Sequence, residues 1–197
     1  MAIVALPASP GLAEVVWTQA QPTQVNKSEF TSRRRVTILP AAPRWTASVR
    51  VVPILGEAAV RPWRSFFAKL QGQAGQFRLI AVEGPQITGV AVQVDGASQA
   101  GTTIATKGWG AAGLKLREGC LYTLDDQLIT LTADVVADGT GKAILTSAVP
   151  VRISPANNAP VEVSLPYGLM SMVDDARPIT AGKGQQYTIE FACEESF

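Results

Sequence analysis

Apolar and polar residues alternate along most of this chain with a period of two, the pattern of half-buried β-strands. Such segments recur every eight to twelve residues: 12–18, 35–39, 45–54, 77–82, 89–94, 102–106, 114–116, 120–124, 127–136, 142–146, 151–153, 161–165, 169–173 and 187–192. In 45–54, Pro53 has no N–H for a ladder, so that strand is expected at an edge or to stop there. The segment 127–136, QLITLTADVV, reads as one long strand, and Ala137 to Gly141 as the turn of a hairpin into 142–146. The stretch around Pro22, Asn26 and Ser28 reads as a polar connection.

One block breaks the pattern. In RPWRSFFAKLQGQAGQFRLI (61–80), Trp63, Phe66, Phe67 and Leu70 fall at i, i+3, i+4 and i+7, on one face of a helix. Pro62 suits a first helical turn, and Gly72 with Gly75 suits its end. The predicted fold is mainly β, a β-sandwich or barrel with one short α-helix over about 59–71 that plugs an open face of the barrel. A single domain spanning 1–197 is expected.

Composition narrows the chemistry. The 197 residues are 47% hydrophobic and 17% charged, with a formal net charge of +1, which gives no general pull toward nucleic acid or membrane. No apolar run approaches the roughly 20 residues of a spanning helix, and the N-terminus, interrupted by Pro7 and Pro10 and without a positive leader, does not read as an export signal. Cys120 and Cys193 lie far apart and match no metal or redox spacing, so each is expected as a small apolar residue.

There is no histidine, which removes the Ser/His/Asp and Cys/His schemes and the usual zinc sets. Asp125-Asp126, Asp174-Asp175 and Glu194-Glu195 are adjacent pairs, read as turn residues rather than as carboxylates acting on one bond. Gly139-Thr140-Gly141-Lys142 lacks the upstream Gly and the following Ser or Thr of a phosphate-binding loop. Gly108 to Gly113 lacks dinucleotide-site spacing. No catalytic, cofactor-binding or metal-ligating residue is assigned, and no enzyme is expected.

Three groups are candidate interface residues. Arg33, Arg34 and Arg35 form the one dense basic run, read as a solvated face, a charged edge strand, or a contact to a partner's acidic rim. Trp109, in its Gly-rich loop, is expected to anchor that loop on the body or on a neighbouring subunit. The apolar, proline-broken arm of residues 1–10 reads either as docking on a neighbour or as a disordered terminus.

In order along the chain come Trp63 to Gly72 with Gln76-Phe77-Arg78-Leu79, Val94-Asp95-Gly96-Ala97, Gly101 to Ile104, Gly108-Trp109, and Leu116 to Gly119. Ala133-Asp134, Gly139 to Ala143 and Pro150-Val151-Arg152 follow. This ordered set, over about 45–170, resembles the distal tail proteins of long-tailed bacteriophages and their relatives in gene-transfer particles. Two features depart from the pattern: Cys120 stands where an acidic residue is common, and no long extension for a carbohydrate-binding-like domain follows, so no host-binding role is implied. The resemblance implies a virion structural protein, assembled in the host cytoplasm, that forms a cyclic homo-oligomer, commonly a hexamer. Its ring would join the tail tube protein to the hub and tip, with the tape measure protein as a further partner and with no membrane or specific nucleic-acid binding. A tail terminator or a head–tail connector ring subunit is the alternative within that class. From another class, the alternative is a carbohydrate-binding β-sandwich with Trp109 or Trp45 as the sugar platform.

Overall fold

The computed structural model describes residues 3–39, 43–176 and 179–196. In chain order the strands are β1 (Leu12–Ala20), β2 (Thr23–Lys27), β3 (Arg34–Ile38), β4 (Arg44–Val51) and β5 (Ile54–Leu55). After helix α1 (Glu57–Leu70) come β6 (Phe77–Ile80), β7 (Gln93–Val94), β8 (Thr103–Lys107), β9 (Gly113–Leu116), β10 (Leu121–Leu124), β11 (Gln127–Thr130) and β12 (Val135–Ala137). The last are β13 (Lys142–Thr146), β14 (Val161–Glu162), β15 (Tyr167–Met172), β16 (Ile179–Ala181) and β17 (Gln186–Glu195). The protein is mainly β with one short α-helix among the described residues, as the periodicity predicts.

Contacts divide the chain into two compact units where the sequence suggests a single domain. The first unit is discontinuous, drawn from 1–18, 45–80 and 168–197. Its sheet runs β1-β4-β17-β15-β6, with β5 and β16 also pairing with β17. In β17, Tyr187, Ile189, Phe191, Cys193 and Glu195 are buried and the residues between them are not, so one face looks inward. β4 lies inside this sheet and ends at Val51, two residues before Pro53.

Helix α1 covers the inward face. Val60, Trp63, Phe66, Phe67 and Leu70 are buried, with Phe66 edge-on to Phe77 at 5.4 Å and Phe67 edge-on to Phe191 at 5.5 Å. Each such ring pair adds about 1 kcal/mol beyond area burial. The helix starts two residues earlier than its apolar spacing suggests, so Pro62 falls in the second turn and cannot donate to Ala58. Its end also differs, since Gln71 takes the left-handed conformation at φ 53° ahead of Gly72. Gly75 is extended, and a Cβ there would lie 2.5 Å from the Leu70 backbone. Close packing therefore requires Gly75. At the other end of α1, the Tyr187 hydroxyl donates to Glu57 Oε2 (2.6 Å) and Arg64 pairs with Glu57 Oε1. These bonds, the tyrosine's first, hold the Glu57 carboxyl below its usual range.

The second unit, from 19–44 and 81–167, has its own core of Val92, Val94, Ile104, Trp109, Tyr122, Leu124, Ile129, Leu131, Leu145 and their neighbours. Around it lie the small sheets β11-β10-β14, β12-β9 and β13-β8-β7, with β2-β3 as a separate pair. The segment 127–136 is two strands instead of one, because the chain turns between Leu131 and Val135 while burying both. β12 ladders with β9 and β13 with β8, so the loop after Ala137 joins two different sheets.

Candidate interaction surfaces

The arginine run lies on an antiparallel hairpin. β2 and β3 pair as Thr23↔Ile38, Gln24↔Thr37, Val25↔Val36, Asn26↔Arg35 and Lys27↔Arg34. Every residue of both strands is exposed, which makes this pair unlike the other ladders among the described residues. Alternation sorts the side chains onto two faces. One carries Thr23, Val25, Lys27, Arg34, Val36 and Ile38; the other carries Gln24, Asn26, Arg35 and Thr37. The first is an apolar strip of Val25, Val36 and Ile38 that ends in two cations, each of the three aliphatic side chains being about half exposed among the described residues.

The turn between β2 and β3 is closed by Ser28 N–H donating to Arg33 O (2.9 Å) and Ser32 N–H donating to Ser28 O (3.0 Å). Phe30 stands on this turn with its side chain 100% exposed. Arg33, Arg34 and Arg35 make no ion pair among the described residues. Sequence reasoning found these arginines but missed β2, since TQVNK offers one apolar residue and no burial rhythm. Val36 directly opposite Val25 becomes visible only with the register.

A second apolar strip lies on the other part of the same unit. Val136 of β12 is the direct partner of Leu114 in β9. Asp138 N–H donates to Lys142 O (2.9 Å), which brings the start of β13 against the end of β12, and Ile144 lies two residues further along β13. Leu114, Val136 and Ile144 are each about half exposed. Their neighbours Leu116, Val135 and Leu145 are buried, so these strands send one side chain into the core and the next out.

Trp109 contributes to neither surface. It is 0% exposed, inside its own unit, and its indole N–H donates to Thr106 Oγ1 (2.8 Å). Its backbone N–H donates to Gly141 O (3.1 Å). Of the two expected anchorings, the one on the body is what the structure shows, so Trp109 is a core residue of its own unit and not an interface anchor, and burial equally removes it as a sugar platform. Trp45 is half-buried and meets Trp17 edge-on at 6.0 Å. The arm of residues 1–10 also turns inward from Ile3 onward, Met1 and Ala2 lying outside the described residues. Val4 N–H donates to Gln76 O (2.8 Å), Val4 and Leu6 pack on the core of the first unit, and Pro10 O accepts the Trp63 indole N–H (3.0 Å).

The carboxylate pairs are turn and strand residues that face apart. Asp125 and Asp126 form the two-residue turn between β10 and β11, both at positive φ, and Asp126 accepts the Tyr167 hydroxyl (2.9 Å). Asp174 accepts Ala176 N–H and Asp175 accepts Gln73 N–H. Glu195 is buried and accepts Trp45 N–H (3.2 Å), whereas Glu194 lies on the other face of β17. In the Gly139 to Lys142 turn, Asp138 Oδ1 accepts from Thr140 N–H, the Thr140 hydroxyl and Lys142 N–H. These bonds, Lys142's first, hold the Asp138 carboxyl below its usual range and occupy the N–H groups a phosphate would need. Among the described residues, no three Cys, Asp or Glu gather as a metal-binding set, and no helix is long and apolar enough to cross a membrane.

In comparison with known proteins, no family model matches this chain and no curated protein matches it.

Proposed function

We propose that this chain is a structural subunit that assembles into a ring, and that the ring belongs to the distal end of a bacteriophage tail tube, between the tube and the hub. The observation that carries self-assembly is the β2-β3 hairpin. An isolated two-stranded hairpin is at best marginally stable in water. This one keeps Val25, Val36, Ile38 and Phe30 in solvent. Covering the three half-exposed aliphatic side chains contributes about 1 kcal/mol each, so a hairpin of this kind gains order when another surface covers it. A ring of identical subunits supplies that surface by heterologous contact, in which one patch of each subunit meets a different patch of the next.

The placement in a phage tail rests on the ordered motif set from Trp63 to Arg152, and with it go the tube, hub and tape-measure partners. Light scattering coupled to size exclusion, with electron microscopy of the same fractions, tests the assembly. Closed rings, hexameric by the resemblance, are expected. A monomer that persists at high concentration and binds glycans sinks the proposal in favour of a carbohydrate-binding module. Particles labelled on this subunit test the position: label at the tip is expected, and label at the capsid-proximal end assigns a terminator or connector instead.

A further inference from the structure

Resting on that reading of self-assembly, we infer that the apolar face of the β2-β3 hairpin of one copy seats on the Leu114–Val136–Ile144 strip of the next copy. The two surfaces match in extent. Strands lie about 5 Å apart and residues on one face of a strand about 7 Å apart. Val25, Val36 and Ile38 therefore cover a patch of roughly the same size as one residue from each of β9, β12 and β13. Both strips are rows of aliphatic side chains on pleated sheet, a shape that packs face to face.

Charge supports the pairing. Residues 19–44 hold five Lys or Arg against one acid, Glu29, whereas residues 81–167 hold eight Asp or Glu against five Lys or Arg. The hairpin strip ends in Lys27 and Arg34, directly opposite each other on the apolar face. β12, which carries Val136, is bracketed by Asp134 before it and Asp138 after it, and the cation on the Ile144 side of β13, Lys142, is already paired with Asp95. Asp138 is kept ionised by its own turn. Docking apolar row on apolar row therefore brings cations of the arm toward carboxylates of the neighbour, an attraction that arm-to-arm pairing does not offer. The hairpin and the strip are different patches, so the contact can run head to tail from copy to copy, and it closes a ring where the rotation between copies closes.

Mixed-chain cross-linking tests the contact. In a Cys120→Ala background, Val36→Cys chains with one tag are mixed with Ile144→Cys chains bearing another, and the mixture is oxidised. A disulfide between the two tags is expected, together with none when Ile144→Cys is replaced by Ile153→Cys, an exposed position off the strip. Rings that form without the Val36–Ile144 disulfide overturn the contact and leave the ring reading standing. Failure to form any oligomer defeats the ring reading itself. A disulfide within one chain carrying both cysteines, in a monomer, overturns both. Charge exchange gives a second readout: Val36→Lys alone and Ile144→Glu alone should each lower the assembled fraction at least tenfold, and mixing the two should restore it in part. Assembly untouched by either assigns the hairpin to another partner, such as a tube protein or nucleic acid, and overturns the pairing.

Discussion

Cys193 gives the most direct residue-level test of how the first unit is built. Its thiol is buried on the inward face of β17, with Sγ 3.5 Å from Ala47 O as its acceptor. Burial pushes its pKa up to about 12. Near pH 8 about one molecule in ten thousand would then carry the reactive thiolate. Cys120 is half-buried and also free. A disulfide reagent added to the native Cys120→Ala variant is expected to find no reactive thiol, and one thiol after denaturation. Rapid labelling of that native variant would mean that β17 separates from β4 far more often than its buried ladder implies. Trp109 shows the limits of reasoning from one residue at a time. An aromatic among glycines suggests a side chain without local packing, yet here the glycines are what let the loop fold its tryptophan inward.

At the scale of the element, that loop makes a sharper prediction. A Cβ on Gly108, at φ 91°, would lie 2.1 Å from Ala91 O, and one on Gly141, at φ 74°, would lie 2.9 Å from Gly110 O. Both glycines combine a left-handed backbone with close approach to another backbone, which cannot yield as a flexible side chain does. Gly108→Ala is expected to destabilise the second unit by about 2–4 kcal/mol, read as a lower denaturant midpoint. Gly139→Ala, where neither constraint holds, should cost well under 1 kcal/mol. Equal effects of the two would remove close approach as the reason for the glycines. The same contrast explains what the sequence made legible. β17, β8, β13 and α1 bury one face against a core, and burial imprints the period of the element on the residue pattern. β2 buries neither face, so it left no rhythm to read. The turn after Leu131 was hidden for the opposite reason, since apolar residues are needed on both sides of it. The division into two units left no trace because β17 joins β4 across some 140 residues, with no change of composition to mark the crossing. Of the interaction surfaces, only the arginines were visible. The apolar strips depend on register, which brings Val36 to Val25 and Val136 to Leu114.

For the whole molecule, an uncovered hairpin couples assembly to stability. If a neighbour covers Val25, Val36 and Ile38, the assembled state binds only folded subunits, and mass action raises their stability with concentration. For a hexamer each tenfold rise in concentration adds about 1 kcal/mol per subunit, which moves the melting temperature of a chain this size by roughly 2–4 °C. The wild-type Tm should therefore climb with concentration across the assembly range. Val36→Asp places a charge on the strip at a half-exposed site opposite Val25, so its cost to the monomer should be about 1 kcal/mol, from strand propensity and the lost cross-strand pair. Its Tm is expected to be independent of concentration and to lie within about 2–4 °C of the dilute limit of the wild type. A wild-type Tm that stays flat would mean that no neighbour covers the hairpin in solution. A Val36→Asp Tm far below the dilute limit would mean that its own chain does. The experiment thus separates a hairpin that belongs to the subunit's own stability from one whose ordering is completed by the next copy.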